Sequence, residues 1–65
     1  MTKYQLMSAL FSGIPKYITS SSGLKLYGVV QMIEREDGSC KSFNVRVYND
    51  KVIPPVRTIH VKTED

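Results

Sequence analysis

Two stretches of alternating apolar and polar residues flank an Asp37-Gly38 dipeptide in the middle of the chain. A period of two indicates strands with one buried face, and Asp-Gly favours the two-residue turn of a β-hairpin. The pattern therefore predicts strands over about 24–35 and 40–49. Pairing outward from the turn puts three pairs on one apolar face: Met32 with Phe43, Val30 with Val45, and Gly28 with Val47.

The N-terminus has the period of a short amphipathic helix. Its apolar residues recur at spacings of three and four, which places them on one face: Leu6, Met7, Leu10 and Phe11. Thr2 and Gln5 have the spacing of a capping box, and Gly13 is placed for a left-handed C-cap before Pro15. We therefore predict a helix over about 2–12. It is too short to be stable alone, so it must pack on the sheet.

A third strand is predicted over about 56–63, where Ile59 and Val61 alternate with His60 and Lys62. If this strand pairs with the second one, Ile59 and Val61 join the apolar face. Between helix and hairpin, residues 13–23 form a connection in which Tyr17 and Ile18 are expected to make a short extended anchor into the core.

The expected fold is a single α+β domain over residues 1–65, with the helix packed on a three-stranded antiparallel meander. Gly28 lies on the predicted core face without a side chain. It either makes room for the helix, marks a bulge, or bends the first strand so that the sheet closes toward a barrel. A small SH3-like β-barrel with an N-terminal helix is thus the alternative fold.

Composition limits the chemistry of this 65-residue chain. Cys40 is the only cysteine and His60 the only histidine, so neither an internal disulfide nor a structural zinc site is expected. A reactive role for the Cys40 thiol has no support from neighbouring acid–base groups. The sequence shows no phosphate-binding glycine loop, no calcium-loop spacing and no membrane-length apolar run. We expect no cofactor, no small-molecule substrate, no enzymatic activity and a cytoplasmic protein.

The face opposite the predicted core is the candidate functional surface. It combines aromatic, aliphatic and polar residues as protein interfaces do: Tyr27, Val29, Ile33, Arg46, Tyr48 and His60. The same register puts Tyr27 opposite Tyr48. This face predicts a protein-interaction module that binds another protein or a second copy of itself. It would act as an inhibitor, adaptor or regulator, and its size would suit a phage- or plasmid-borne accessory protein.

Nucleic-acid binding is the alternative function. Net charge is +3 and the isoelectric point is near 9.2, which permits a polyanionic partner without a concentrated basic run. Exposed tyrosines could stack unpaired bases while Lys25, Arg35 and Lys62 meet phosphates. The two hypotheses depend on different side chains, since the protein interface needs Val29 and Ile33.

Overall fold

The protein folds as one helix on a four-stranded sheet in the computed structural model, which describes residues 1–36, 38 and 41–64. The elements in chain order are α1 Lys3–Ser12, β1 Lys16–Thr19, β2 Lys25–Arg35, β3 Ser42–Tyr48 and β4 Val56–Lys62. All neighbouring strands are antiparallel, in the order β1-β2-β3-β4. The α+β class is confirmed, but the sheet has four strands where three were predicted.

The predicted caps of α1 are confirmed. The Gln5 backbone N–H donates to the Thr2 hydroxyl at 3.1 Å, and the Thr2 N–H donates to Oε1 of Gln5 at 2.8 Å. Gly13 ends the helix with φ of 66°. The predicted apolar face is wrong at one end, because Phe11 is 82% exposed while Leu6 and Ala9 are fully buried. The helix thus presents Leu6 and Ala9 to the core and leaves Phe11 in solvent.

The additional strand, β1, comes from the segment predicted as a connection. Ile18 is fully buried opposite Leu26 of β2, as the expected anchor requires. Tyr17 points to the other side of the sheet, where it is 64% exposed, so its predicted burial is wrong. A strand of four residues after Pro15 is too short to show an alternating pattern in the sequence. It forms because pairing with β2 satisfies its backbone hydrogen-bonding groups.

The predicted hairpin register is wrong. Ile33 pairs with Val45 and Arg35 with Phe43, and the register shifts between Val30 and Met32, so Gln31 is a β-bulge. A bulge places one extra residue in the strand and reverses which side chains face inward. Val30 therefore remains on the helix side opposite Val47, whereas beyond the bulge it is Ile33 that faces the helix side.

This register is incompatible with a two-residue turn at Asp37-Gly38. The Glu36 N–H donates to the Ser42 carbonyl at 3.1 Å, so five residues connect the last paired positions. Asp37, Ser39 and Cys40 lie outside the described residues. Gly38 has φ of 82°, a left-handed conformation that glycine adopts without steric cost.

The core lies between α1 and the helix-side face of the sheet, which we call the inner face. The predicted placement of Ile59 and Val61 is confirmed, because they pair with Val45 and Phe43 and are buried with them. Residues of α1 and all four strands contribute to the core: Leu6, Ala9, Ile18, Val30, Phe43, Val45, Val47, Ile59 and Val61. Met32 was predicted to belong here, but it lies on the opposite, outer face and is 47% exposed.

The sheet curls into a half-barrel whose ends approach each other. The Ser21 N–H, just beyond β1, donates to the His60 carbonyl of β4 at 2.8 Å. Gly28 serves close strand approach rather than helix packing, since a Cβ there would lie 2.4 Å from the Tyr48 carbonyl oxygen. Any larger residue would separate β2 from β3.

Candidate functional site

The outer face of the sheet carries a group of exposed aromatic and apolar side chains beside one arginine. The strand pairings place five of them together with this arginine, and we call this set the outer-face patch: Tyr17, Tyr27, Val29, Met32, Arg46 and Tyr48. Directly paired positions bring Tyr17 beside Tyr27, Val29 beside Tyr48, and Met32 beside Arg46. β1, β2 and β3 all contribute, so the patch depends on the tertiary pairing of three strands.

One end of the patch is an aromatic pair with an attached cation. The ring centroids of Tyr17 and Tyr27 are 4.8 Å apart, with an angle of 52° between the ring planes. The Lys25 ammonium lies 5.1 Å from the centroid of the Tyr17 ring, within the range of a cation–π interaction. The pair holds two large rings in a fixed arrangement on the surface, which lowers the entropy lost when a partner packs on them.

Val29 and Tyr48 form the centre of the patch. Val29 is half-buried, and an open groove of about 330 Å³ runs beside it, lined by Tyr27, Tyr48 and Lys51 among others. Tyr48 is 36% exposed. A half-buried aliphatic floor between exposed tyrosines offers a partner both a recess and aromatic walls, the combination found at the energetic centres of interfaces.

Four of the six predicted partner-binding residues do come together on the outer face: Tyr27, Val29, Arg46 and Tyr48. Their neighbours differ from the prediction, because Tyr27 pairs with Tyr17 and not with Tyr48. Ile33 is not on this face. It packs against the core from the helix side, since the bulge at Gln31 reverses its orientation.

His60 is on the outer face as predicted, but it lies outside the outer-face patch and its ring contacts other side chains of the fold. Its Nδ1 lies 2.7 Å from the Ser21 hydroxyl, and its Nε2 contacts Oε2 of Glu36. The three side chains, which we call the His60 clamp, sit where the Ser21 N–H also meets the His60 carbonyl. The clamp therefore ties the β1–β2 turn and the end of β2 to β4, and the imidazole has both nitrogens engaged within the fold.

A serine, a histidine and a carboxylate in line is also the arrangement used for nucleophilic catalysis. That chemistry needs preorganised donors for the developing oxyanion in a site that excludes water. Here His60 is 31% and Glu36 47% exposed on the outer surface of the sheet. The main-chain N–H of Ser21 is already bonded to His60. The geometry is that of a structural clamp.

The predicted nucleic-acid contacts are dispersed. Lys25 lies beside the tyrosine pair. Arg35 is on the helix side, where it lines a groove with Lys3 and Met7, and Lys62 pairs across from Ser42 at the clamp end of the sheet. Lys51, which was not predicted, lines the groove beside Tyr27 and Tyr48.

Tyr17 and Met32 are the two members of the patch that sequence reasoning did not place there. The isolated Tyr17-Ile18 pair after Pro15 was the available signal for a strand with one side inward and one outward. Met32 could have been found only by anticipating the bulge, and Gln31 gives no local sign of one. Both positions depend on pairing with distant residues.

No helix within the described ranges has the length and apolarity needed to cross a membrane. Comparisons with protein-family models, curated proteins and solved structures find no significant match for this chain.

Proposed function

We propose that this protein is a non-enzymatic interaction module whose outer-face patch binds another protein or a second copy of the chain. It acts by occupying its partner's surface, as an inhibitor, adaptor or regulator does. The observation that supports this proposal is the continuous run of exposed Tyr17, Tyr27, Met32 and Tyr48 around the half-buried Val29. The helix lies on the opposite face, and nothing among the described residues covers the patch.

The size of the chain makes this surface a substantial part of the whole. An interface of standard size takes about 800 Å² from each partner. That is about one fifth of the 4376 Å² accessible surface of this chain. Tyrosine, methionine and arginine are enriched in such interfaces, and all three occur in the patch.

Arg46 is expected to determine orientation. It lies beside Met32, and its guanidinium makes no hydrogen bond or salt bridge with another described residue. A guanidinium that has no internal partner can bind a carboxylate of the docking protein in a bidentate arrangement. A partner with an acidic group beside an apolar surface would match this side of the patch.

Site-specific photo-cross-linking tests the proposal. Benzoylphenylalanine is introduced at Met32, within the patch, and in a matched variant at Phe11, which is exposed on the helix. We expect a discrete cross-linked species from position 32 alone, and the double variant Tyr27→Ser/Tyr48→Ser should abolish it. Sedimentation across a concentration series identifies whether the partner is a second copy. Equal cross-linking from both positions, or insensitivity to the tyrosine substitutions, would contradict the proposal.

Single-stranded nucleic acid is a second candidate, favoured by the Lys25 ammonium held over Tyr17 beside Tyr27. Stacking of a base on such rings is worth about 1–3 kcal/mol per base. Fluorescence anisotropy with labelled oligonucleotides at two salt concentrations measures it. Salt-sensitive binding that Tyr27→Ser weakens would support this function, and no binding at low salt would exclude it.

A further inference from the structure

A further groove lies on the inner face, at the end of the sheet near the β3–β4 loop. This groove has a volume of about 270 Å³ and lies between the start of β2 and the β3–β4 loop. Its floor is apolar, built from Leu26 and Val47, with Val52 and Pro55 on the loop side. Asn49 fixes the loop in place, since its side-chain N–H donates to the Tyr27 carbonyl at 2.9 Å.

A cation stands at the edge of this apolar floor. Arg57 pairs directly with Val47, so its side chain begins on the same face as the floor. It is exposed, and its guanidinium has no hydrogen bond or ion pair with any other described residue. Lys25 adds a second positive charge to the lining, whereas no aspartate or glutamate among the described residues lines the groove.

An apolar recess with one well-placed charged group is the usual composition of a ligand site. A guanidinium has a planar fork of donors that suits carboxylate, sulfonate and phosphate groups. We propose that this groove binds a small amphiphilic anion, with its apolar chain over Leu26 and Val47 and its acidic head on Arg57. The proposal goes beyond the function proposed for the outer-face patch, because it rests on Arg57, Leu26 and Val47, although Tyr27 and Lys25 at the edge of the groove adjoin that patch.

The dimensions of the groove limit the ligand. Pockets for drug-sized ligands usually have about 300–1,000 Å³, so this groove suits a short chain. Octanoate has a chain of suitable length. At the affinity per atom typical of simple ligands, we expect a Kd on the order of 1 mM.

Titration of the full chain with three eight-carbon probes, followed by amide chemical shifts, separates charge from apolarity. The probes are octanoate, octanol and octylammonium. We expect saturable shifts at Leu26, Val47 and Val52, with octanoate binding about tenfold more tightly than octanol, and octylammonium weakest. Equal affinity for octanoate and octanol would overturn the proposal. So would shifts centred on the exposed Tyr4 and Phe11, or shifts that do not saturate well above the expected Kd.

A pair of variants then tests the role of the guanidinium. Arg57→Gln should bring octanoate affinity down to that of octanol. Lys62 is an exposed cation on the same strand at the other end of the sheet, so Lys62→Gln should leave the preference for octanoate over octanol unchanged. Both substitutions are at the surface, and unchanged shifts in the core will verify folding. A preference for octanoate that survives Arg57→Gln, or that Lys62→Gln removes equally, would contradict the assigned site.

Discussion

The two halves of β2 differ in which residues face the core and in what they present to solvent. Before the bulge, Leu26 and Val30 face inward while Tyr27 and Val29 face outward, so both faces are apolar. After the bulge, Ile33 faces inward and Glu34 outward. The outer-face patch extends past the bulge at Gln31 as far as Met32, and the charged end of the sheet begins at Glu34. A largely apolar surface and a charged surface can thus share a strand.

The same division separates side chains that have internal partners from those that do not. At the charged end, Glu36 and Ser21 bond to His60. At the other end, the rings of Tyr17 and Tyr27 contact each other, Lys25 lies over the Tyr17 ring, and both rings are otherwise exposed to solvent. Exposed apolar surface that lacks an internal partner is the stronger indication of binding.

The largest expected effect comes from forcing the first half of β2 away from β3. Gly28→Ala places a methyl group 2.4 Å from the backbone oxygen of Tyr48, which cannot rotate aside. We expect a loss of about 3 kcal/mol, at the upper end of the usual overpacking cost. A domain of this size has only about 3–5 kcal/mol of stability, so much of the protein would unfold.

Urea denaturation followed by circular dichroism measures this loss. Thr58→Ala, an exposed position on β4, serves as the control for introducing alanine into the sheet. If Gly28→Ala were as stable as the control, the close approach of β2 and β3 would be incorrect.

The second prediction compares adjacent residues across the reversal. Ile33→Ala should lower the free energy of unfolding by about 1–2 kcal/mol, since this half-buried side chain packs on the core. Met32→Ala should change it by less than about 0.5 kcal/mol, because that side chain is on the surface. Chemical denaturation of the two variants gives the order directly. A larger loss for Met32→Ala than for Ile33→Ala would support a register without the bulge, in which Met32 faces the core and is not part of the outer-face patch.

A smaller effect is expected at the charged end. A double-mutant cycle with Ser21→Ala and His60→Ala should give a coupling of about 0.5–1 kcal/mol, as is usual for one partly exposed hydrogen bond. The matched control cycle uses Ser22→Ala in place of Ser21→Ala. The Ser22 hydroxyl forms a hydrogen bond with Ser20 and not with His60. That cycle should show no coupling to His60. Equal couplings in both cycles would mean that the clamp is not specific.

The smallest effect on stability is expected at the tyrosine end. Lys25→Gln removes an exposed cation from the Tyr17 ring, which should cost about 0.5 kcal/mol or less. Thermal unfolding and anisotropy on an oligonucleotide are both measured on this variant. A stability loss above about 1 kcal/mol would show that Lys25 is structural and weaken its assignment to a binding surface.

Local patterns in the sequence were sufficient to predict the helix with its caps and the alternation of buried residues in β4. The capping box of Thr2 and Gln5 and the C-cap at Gly13 are local geometry, so adjacent residues identify them. The alternation of Ile59 and Val61 is equally direct, because neither a bulge nor a turn interrupts β4. For the site, the same alternation is sufficient to place Tyr27, Val29, Arg46 and Tyr48 on one face.

The register of the hairpin could not be obtained in this way. Asp37-Gly38 and the apolar pattern both favour a two-residue turn, whereas the structure has a longer connection together with a bulge at Gln31. Met32 and Ile33 are both apolar, so either one could face the core. The choice between them depends on packing with α1 and β3, which are distant along the chain.

Local sequence patterns are enough to specify the helix, the long hairpin strands, the inward alternation of β3 and β4, and a mixed aromatic surface. These follow from periodicity and caps, which act over a few residues. The fourth strand, the bulge at Gln31, the pairing of Tyr17 with Tyr27 and the clamp around His60 arise only when the whole chain packs. Each joins residues far apart in sequence, and only the packing of the complete chain selects one of several locally equivalent arrangements.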